Sequence, residues 1–154
     1  MKQEDKDLII KDLCGRLPYN VKCAILSEKQ PFTLTTIEVD YINGHLFNFL
    51  ELRRGFVVQV YTSELKPYLY PLSSMTEEQS IELFNLFGIS LANSIGTDYI
   101  KINECTGITF FLDKGFDIET HLDKLLDWLN KNHFDYRGLI EKGLAIDVTG
   151  LNIY

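Results

Sequence analysis

The sequence predicts an α+β domain: an antiparallel sheet of five or six strands packed by three or four helices. Two hairpin-forming stretches, residues 33–62 and 98–112, supply the strands, and segments with helical hydrophobic spacing flank them. A chain of 154 residues, 45% hydrophobic and 24% charged, buries roughly 70% of its unfolded surface on folding. It is therefore expected to form a single domain over residues 1–154 without help from a disulfide or a metal.

In chain order, residues 5–17 read as a short amphipathic helix, with Ile9, Ile10, Leu13, Cys14 and Leu17 at helical spacing. Leu17-Pro18 ends it, because proline disfavours helical backbone in the residue before it. Val21 to Ser27 reads as a first strand. Thr33 to Ile42 is rich in β-branched residues, Asn43-Gly44 is a preferred pair for a two-residue type I′ turn, and His45 to Leu52 returns as a strand. Arg53-Arg54-Gly55 then turns the chain into a third strand, Phe56 to Thr62.

A two-residue turn at Asn43-Gly44 sets Ile42 opposite His45 and Val39 opposite Asn48, and a three-residue second loop sets Leu50 opposite Val58. One face then carries Ile37, Val39, Tyr41, Leu46, Leu50, Leu52, Phe56, Val58 and Val60, with Asn48 interrupting it. The other face is mixed: Glu38, Asp40, Ile42, His45, Phe47, Phe49, Glu51, Val57, Gln59 and Tyr61.

Lys66-Pro67-Tyr68-Leu69-Tyr70-Pro71 reads as a proline-bracketed connector. Ser74-Met75-Thr76-Glu77 has the pattern of a capping box and opens a helix with Ile81, Phe84, Leu91 and Ile95 on its apolar stripe. A hairpin pairs Asp98 to Asn103 with Ile108 to Leu112. Asp117 caps the next helix, whose buried face is Ile118, Leu122, Leu125, Leu126 and Leu129. A short final helix is expected from Asp135 to Lys142, ended by Gly143. The tail 144–154 is read as a last strand or an ordered arm.

The net charge of −7 argues against nucleic acid as a partner, since neutralising phosphates takes clustered Lys and Arg. No apolar run approaches the roughly 20 residues that cross a bilayer, so no membrane partner is expected. Cys14, Cys23 and Cys105 are odd in number and lack metal-ligand spacing, which with the charged start of the chain points to the cytoplasm. His45, His121 and His133 are too far apart in sequence to suggest a metal site. No dinucleotide, P-loop, nucleophile-elbow or zinc-protease motif is present. No cofactor, metal or catalytic residue is expected.

Candidate binding residues come from the mixed sheet face. Glu38, Asp40, His45, Phe47, Phe49, Gln59 and Tyr61 interleave aromatic area with polar anchors, which suits a planar ligand or a partner protein. Tyr68 and Tyr70 of the connector join them as stiffly held recognition side chains.

Three blocks carry a resemblance to a known group. They are Lys11-Asp12-Leu13-Cys14-Gly15-Arg16-Leu17-Pro18-Tyr19-Asn20-Val21-Lys22, then Lys66-Pro67-Tyr68-Leu69 running into Pro71-Leu72-Ser73-Ser74-Met75-Thr76-Glu77-Glu78, and finally Asp127-Trp128-Leu129-Asn130 with 133–145. In these the chain resembles a family of small uncharacterised proteins of gut Bacteroides-type bacteria and their phages and prophages. That resemblance implies a phage or mobile-element accessory protein and carries no activity with it. Three readings stay open: a non-enzymatic protein that binds a host protein, a module that sequesters a nucleotide-like small molecule, and a minor virion component or enzyme. A homodimer through the mixed face is compatible with each.

Overall fold

The computed structural model describes residues 1–26, 30–40, 44–51, 56–86, 99–103, 107–111 and 122–154. In chain order the elements are α1 (Gln3–Arg16), β1 (Lys22–Ile25), β2 (Phe32–Asp40), β3 (Gly44–Glu51), β4 (Phe56–Tyr61), β5 (Leu65–Pro71), α2 (Glu77–Leu86), β6 (Tyr99–Asn103), β7 (Gly107–Phe111), α3 (Leu122–Lys131), β8 (Phe134–Asp135) and β9 (Ile146–Asp147). The fold is α+β, its strand pairs antiparallel except for two short parallel ones. The chain forms two compact units, Met1–Leu69 with Gly138–Tyr154, and Tyr70–Arg137.

In the first unit the strands run β4-β3-β2-β1-β5, all antiparallel neighbours, and β9 pairs parallel with β5 at Tyr68 and Leu69. α1 buries Ile9, Asp12, Leu13 and Arg16, the i, i+3, i+4, i+7 spacing of one helical face. It ends as expected before Pro18. Leu17–Tyr19 adds a 3₁₀ turn, and Asn20 in the left-handed region (φ 56°) turns the chain into β1. Ile9 and Leu13 share a core with Val21, Cys23, Ile25, Leu34, Val60, Leu65, Leu69, Leu139 and Leu144.

The meander forms, but in a different register from the one the turn chemistry predicts. Glu38 lies opposite Leu46, Ile37 opposite Phe47 and Asp40 opposite Gly44, the first residue of β3; the predicted turn residue Asn43 lies outside the described residues. Leu50 lies opposite Val57 rather than Val58. Both shifts are odd, three residues and one. Residues opposite one another share a face, so β3 is inverted relative to its neighbours while β2 and β4 keep the faces expected of them. The expected register set position 48 on the core face, where an amide would need partners. The observed register sets position 48 between Thr36 and Gln59, and moves positions 46 and 50 to that face with it.

Residues 65–71 are a strand and not a connector. Leu65, Pro67 and Leu69 are buried and Lys66, Tyr68 and Tyr70 half-buried, the period-two pattern of a strand. Pro67 faces Cys23 of β1, while the β9 pairing covers only Tyr68 and Leu69. Proline, which lacks an N–H, is tolerated where one side of the strand is unpaired.

In the second unit, Leu72, Leu83, Leu125, Trp128, Leu129 and Phe134 form the core, with Trp128 and Phe134 stacked at 5.7 Å between ring centroids. β6 and β7 pair as the predicted hairpin and form a two-stranded sheet of their own. β8 pairs parallel with Tyr70 and Pro71 at the end of β5. The capping box of α2 begins two residues later than expected. Thr76 N–H donates to Gln79 Oε1 at 2.9 Å and Gln79 N–H to Thr76 Oγ1 at 3.2 Å, while Ser74 Oγ donates to the Pro71 carbonyl. The helix accordingly buries Leu83 and leaves Ile81 39% exposed. On α3, Leu125, Trp128 and Leu129 are buried and Leu122 is exposed. Leu91, Ile95, Asp117 and Ile118 lie outside the described residues.

The expected final helix from Asp135 to Lys142 is absent. Gly138 and Gly143 both sit in the left-handed region (φ +69° and +67°). Between them the chain makes a compact turn, with Gly143 N–H donating to the Ile140 carbonyl and Leu144 N–H to the Leu139 carbonyl. The tail combines the two forms expected of it: the short strand β9, then an arm to Tyr154.

Candidate functional site

The observed register divides the predicted sheet-face residues. Glu38 and Asp40 of β2 and Val57, Gln59 and Tyr61 of β4 remain at positions of one face, which Thr36 and positions 46, 48 and 50 of β3 now share. His45, Phe47 and Phe49 of β3 fall at positions opposite Val39, Ile37 and Leu34, and Phe47 and Phe49 opposite Val60 and Val58, the face that supplies the core. Thr36, Glu38 and Gln59 are exposed, Val57 is 53% exposed and Tyr61 37%.

Tyr68 and Tyr70 lie on β5, two strands from β2 in the sheet order, and both are half-buried. Tyr68 gives its carbonyl to the Tyr154 hydroxyl at 2.8 Å. Tyr70 donates its N–H to the His133 carbonyl at 3.0 Å and tilts its ring against Phe134.

The first unit holds two further polar arrangements that the sequence reading passed over. On α1, Arg16 Nε donates to Asp12 Oδ2 at 2.7 Å and Arg16 Nη2 to Asp12 Oδ1 at 3.0 Å, with both side chains wholly buried. Cys23 lies within their field: burial pushes its thiol pKa far up, the Asp12 charge adds to that, and Arg16 opposes it. The thiol is held protonated and is a packing group, not a nucleophile. The signal for the pair was legible in the spacing, since residues 12 and 16 complete the stripe that begins with Ile9 and Leu13. The second arrangement ties down the C-terminal arm. Tyr154 Oη accepts from the Lys22 N–H at 3.1 Å and donates to the Tyr68 carbonyl. Lys22 Nζ donates to the Ile153 carbonyl and lies 5.6 Å from the centre of the Tyr154 ring.

In the second unit a polar knot follows α3. Buried Asn130 accepts through Oδ1 from the Tyr136 hydroxyl at 3.0 Å, which in turn accepts from Arg137 Nη2 at 3.0 Å. The Arg137 guanidinium lies 4.7 Å from the Tyr136 ring centre, and the Arg137 main-chain N–H donates to Asp135 Oδ1. Buried His133 adopts φ 58°, uncommon for a residue with a side chain, and so reverses the chain from α3 into β8. No group of three or more His, Cys, Asp or Glu side chains suited to a metal ion is gathered among the described residues. No described helix is long and apolar enough to cross a membrane.

The Asp12–Arg16 pair is wholly buried and the Asn130–Tyr136–Arg137 knot partly so, whereas Thr36, Glu38, Val57, Gln59 and Tyr61 are exposed. Comparison with known proteins finds no matching family model, no matching curated protein and no matching solved structure.

Proposed function

We propose that the chain is a non-enzymatic accessory protein of a phage or mobile element that binds a host protein through the exposed positions of β2 and β4. The observation that carries this reading is the exposure of Val57 and Tyr61 beside Glu38 and Gln59 on one sheet face. An apolar and aromatic centre with polar neighbours has the composition of a protein-binding patch. Small-molecule sites are concave and enclose most of their ligand. The nucleotide-like ligand reading leaned on Phe47 and Phe49 standing beside Tyr61, and the register sets those positions on the other face.

The test is affinity capture from extracts of a gut Bacteroides-type host, followed by a binding titration with whatever protein is retained. Tyr61→Ala and Glu38→Lys are expected to weaken that binding at least tenfold, as truncation of a central aromatic does. Leu122→Ser, on an exposed position of the other unit, leaves it unchanged. A partner that binds Tyr61→Ala and Glu38→Lys as tightly as the unaltered chain ends this reading.

A further inference from the structure

β4 is the outermost strand of the first unit's sheet among the described residues, paired with β3 alone. Edge strands normally carry a device against pairing with another chain: a lysine, a proline, a bulge or a very short length. Within β4 itself none of these is present, and the charged group that meets its edge, Glu64, does so at the Tyr61 end. Phe56-Val57-Val58-Gln59-Val60-Tyr61 holds no charge, no proline and no glycine, and all six residues pair with β3 without a register shift.

Its outward backbone groups can be assigned. The Tyr61 N–H donates to Glu64 Oε2 at 3.0 Å, so it takes no part in the ladder with β3. Inward and outward groups alternate along an antiparallel strand. The N–H and C=O of Gln59 and Val57 therefore also point away from β3.

We propose that this edge pairs with β4 of a second copy of this chain, antiparallel about a two-fold axis at Val58. In that register Val57 of each copy lies opposite Gln59 of the other, and each of these two pairs exchanges two N–H···O bonds. Val58 lies opposite Val58 of the second copy in a non-hydrogen-bonded pair, where Cα atoms approach to about 4.5 Å. A two-fold contact requires a surface complementary to itself, and a strand with outward groups at Val57 and Gln59, symmetric about Val58, meets that requirement.

Charge selects the same stretch. A chain of net charge −7 repels its own copy wherever acidic surfaces meet, and β4 brings no charge to the axis. The pairing also continues both faces across the axis, Val58 beside Val58 on one and Val57 beside Gln59 on the other. It does not depend on the host-protein reading.

The experiment is native mass spectrometry and sedimentation of the full chain at micromolar concentration. The unaltered chain is expected to be a dimer. The double variant Val57→Lys/Gln59→Lys sets lysine directly opposite lysine twice across the axis, at positions that are solvent-exposed in one copy. It is expected to be a monomer with unchanged circular dichroism and melting temperature. In a Cys14→Ser background, Val58→Cys is expected to form a disulfide-linked dimer on mild oxidation, while the background chain alone does not. An unaltered chain that stays monomeric at about 100 µM, or a dimer that survives the double lysine variant, overturns the proposal. If Val58→Cys fails to fold, the lysine variant decides. A monomer here leaves the capture experiment and the role of Tyr61 untouched.

Discussion

Arg16 stands one helical turn beyond Asp12 and grips its carboxylate with two prongs, Nε to Oδ2 and Nη2 to Oδ1, with neither side chain reaching solvent. An ion pair taken wholly out of water recovers much of its desolvation cost through such geometry, but each half is destabilising without the other. Asp12→Ala is therefore expected to lower stability by about 3–5 kcal/mol, read from the urea midpoint. The double replacement Asp12→Leu/Arg16→Met is expected to be markedly less harmful than Asp12→Ala. A single variant that costs under about 1 kcal/mol, the range of surface pairs, would show that the pair is solvated in solution.

Cys14 and Cys23 should behave differently towards thiol reagents. Cys14 is exposed on α1 and Cys23 is wholly buried, so native labelling followed by peptide mapping should find Cys14 modified and Cys23 untouched until the chain unfolds. Linkage gives a second readout. Burial holds the Cys23 proton on in the folded state, while an unfolded thiol ionises near about 8.5. Below that pH both states keep the proton and the group contributes no pH dependence. Above it only the unfolded chain releases the proton, so stability falls as pH rises, by at most about 1.4 kcal/mol per unit. Cys23→Ala should flatten that alkaline slope by one proton, whatever it does to stability at neutral pH.

The limits of the sequence reading follow from these particulars. α1, the meander and the hairpin were legible because each announces itself locally, through Leu17-Pro18, through a β-branched run, and through apolar runs on either side of a turn. The register of β3 was not, because Asn43-Gly44 is only one of the forces that set it. The observed pairing places position 48 with Thr36 and Gln59, away from Ile37, Val58 and Val60, a long-range arrangement that no local turn signal announces. That change scattered the candidate site: Glu38 and Tyr61 stayed on one face and Phe47 and Phe49 left it. Residues 65–71 read as a connector because two prolines mask a strand whose partners, Cys23 and Ile146, are distant in sequence. Asp12 and Arg16 were passed over because charged residues four apart on a helix usually face water.

The start of α2 supplies a local test of the same kind. Thr76 and Gln79 exchange two hydrogen bonds across the first turn, whereas Ser74 bonds back to the Pro71 carbonyl. Glu78 is part of this arrangement, its carboxyl held below the ordinary range by its own N–H and by the Thr76 hydroxyl. Thr76→Ala is expected to cost about 1 kcal/mol, the usual value of a lost cap, and Ser74→Ala clearly less. Equilibrium denaturation of the two variants ranks them, and the reverse order would place the cap at Ser74.

The C-terminal arm gives the last and most local prediction. β1 and β5 pair from Ile25↔Leu65 to Cys23↔Pro67, and the next pair in that register would be Lys22 with Tyr68. The Tyr154 hydroxyl stands between them, accepting from the Lys22 N–H and donating to the Tyr68 carbonyl. One side chain thus bridges two strands where their ladder stops. Tyr154→Phe keeps the ring, and with it the approach of the Lys22 ammonium to its face, but removes both hydrogen bonds. Each is worth about 0.5–1.5 kcal/mol net, and water can replace part of that at so open a position. The expected outcome is a small loss of global stability, below about 2 kcal/mol, together with faster hydrogen exchange confined to the Lys22 amide and its neighbours. Exchange at Leu13 or Leu69, deep in the same core, should change only by the global amount. A Lys22 amide as well protected in Tyr154→Phe as in the unaltered chain would mean that the arm is not bound there in solution.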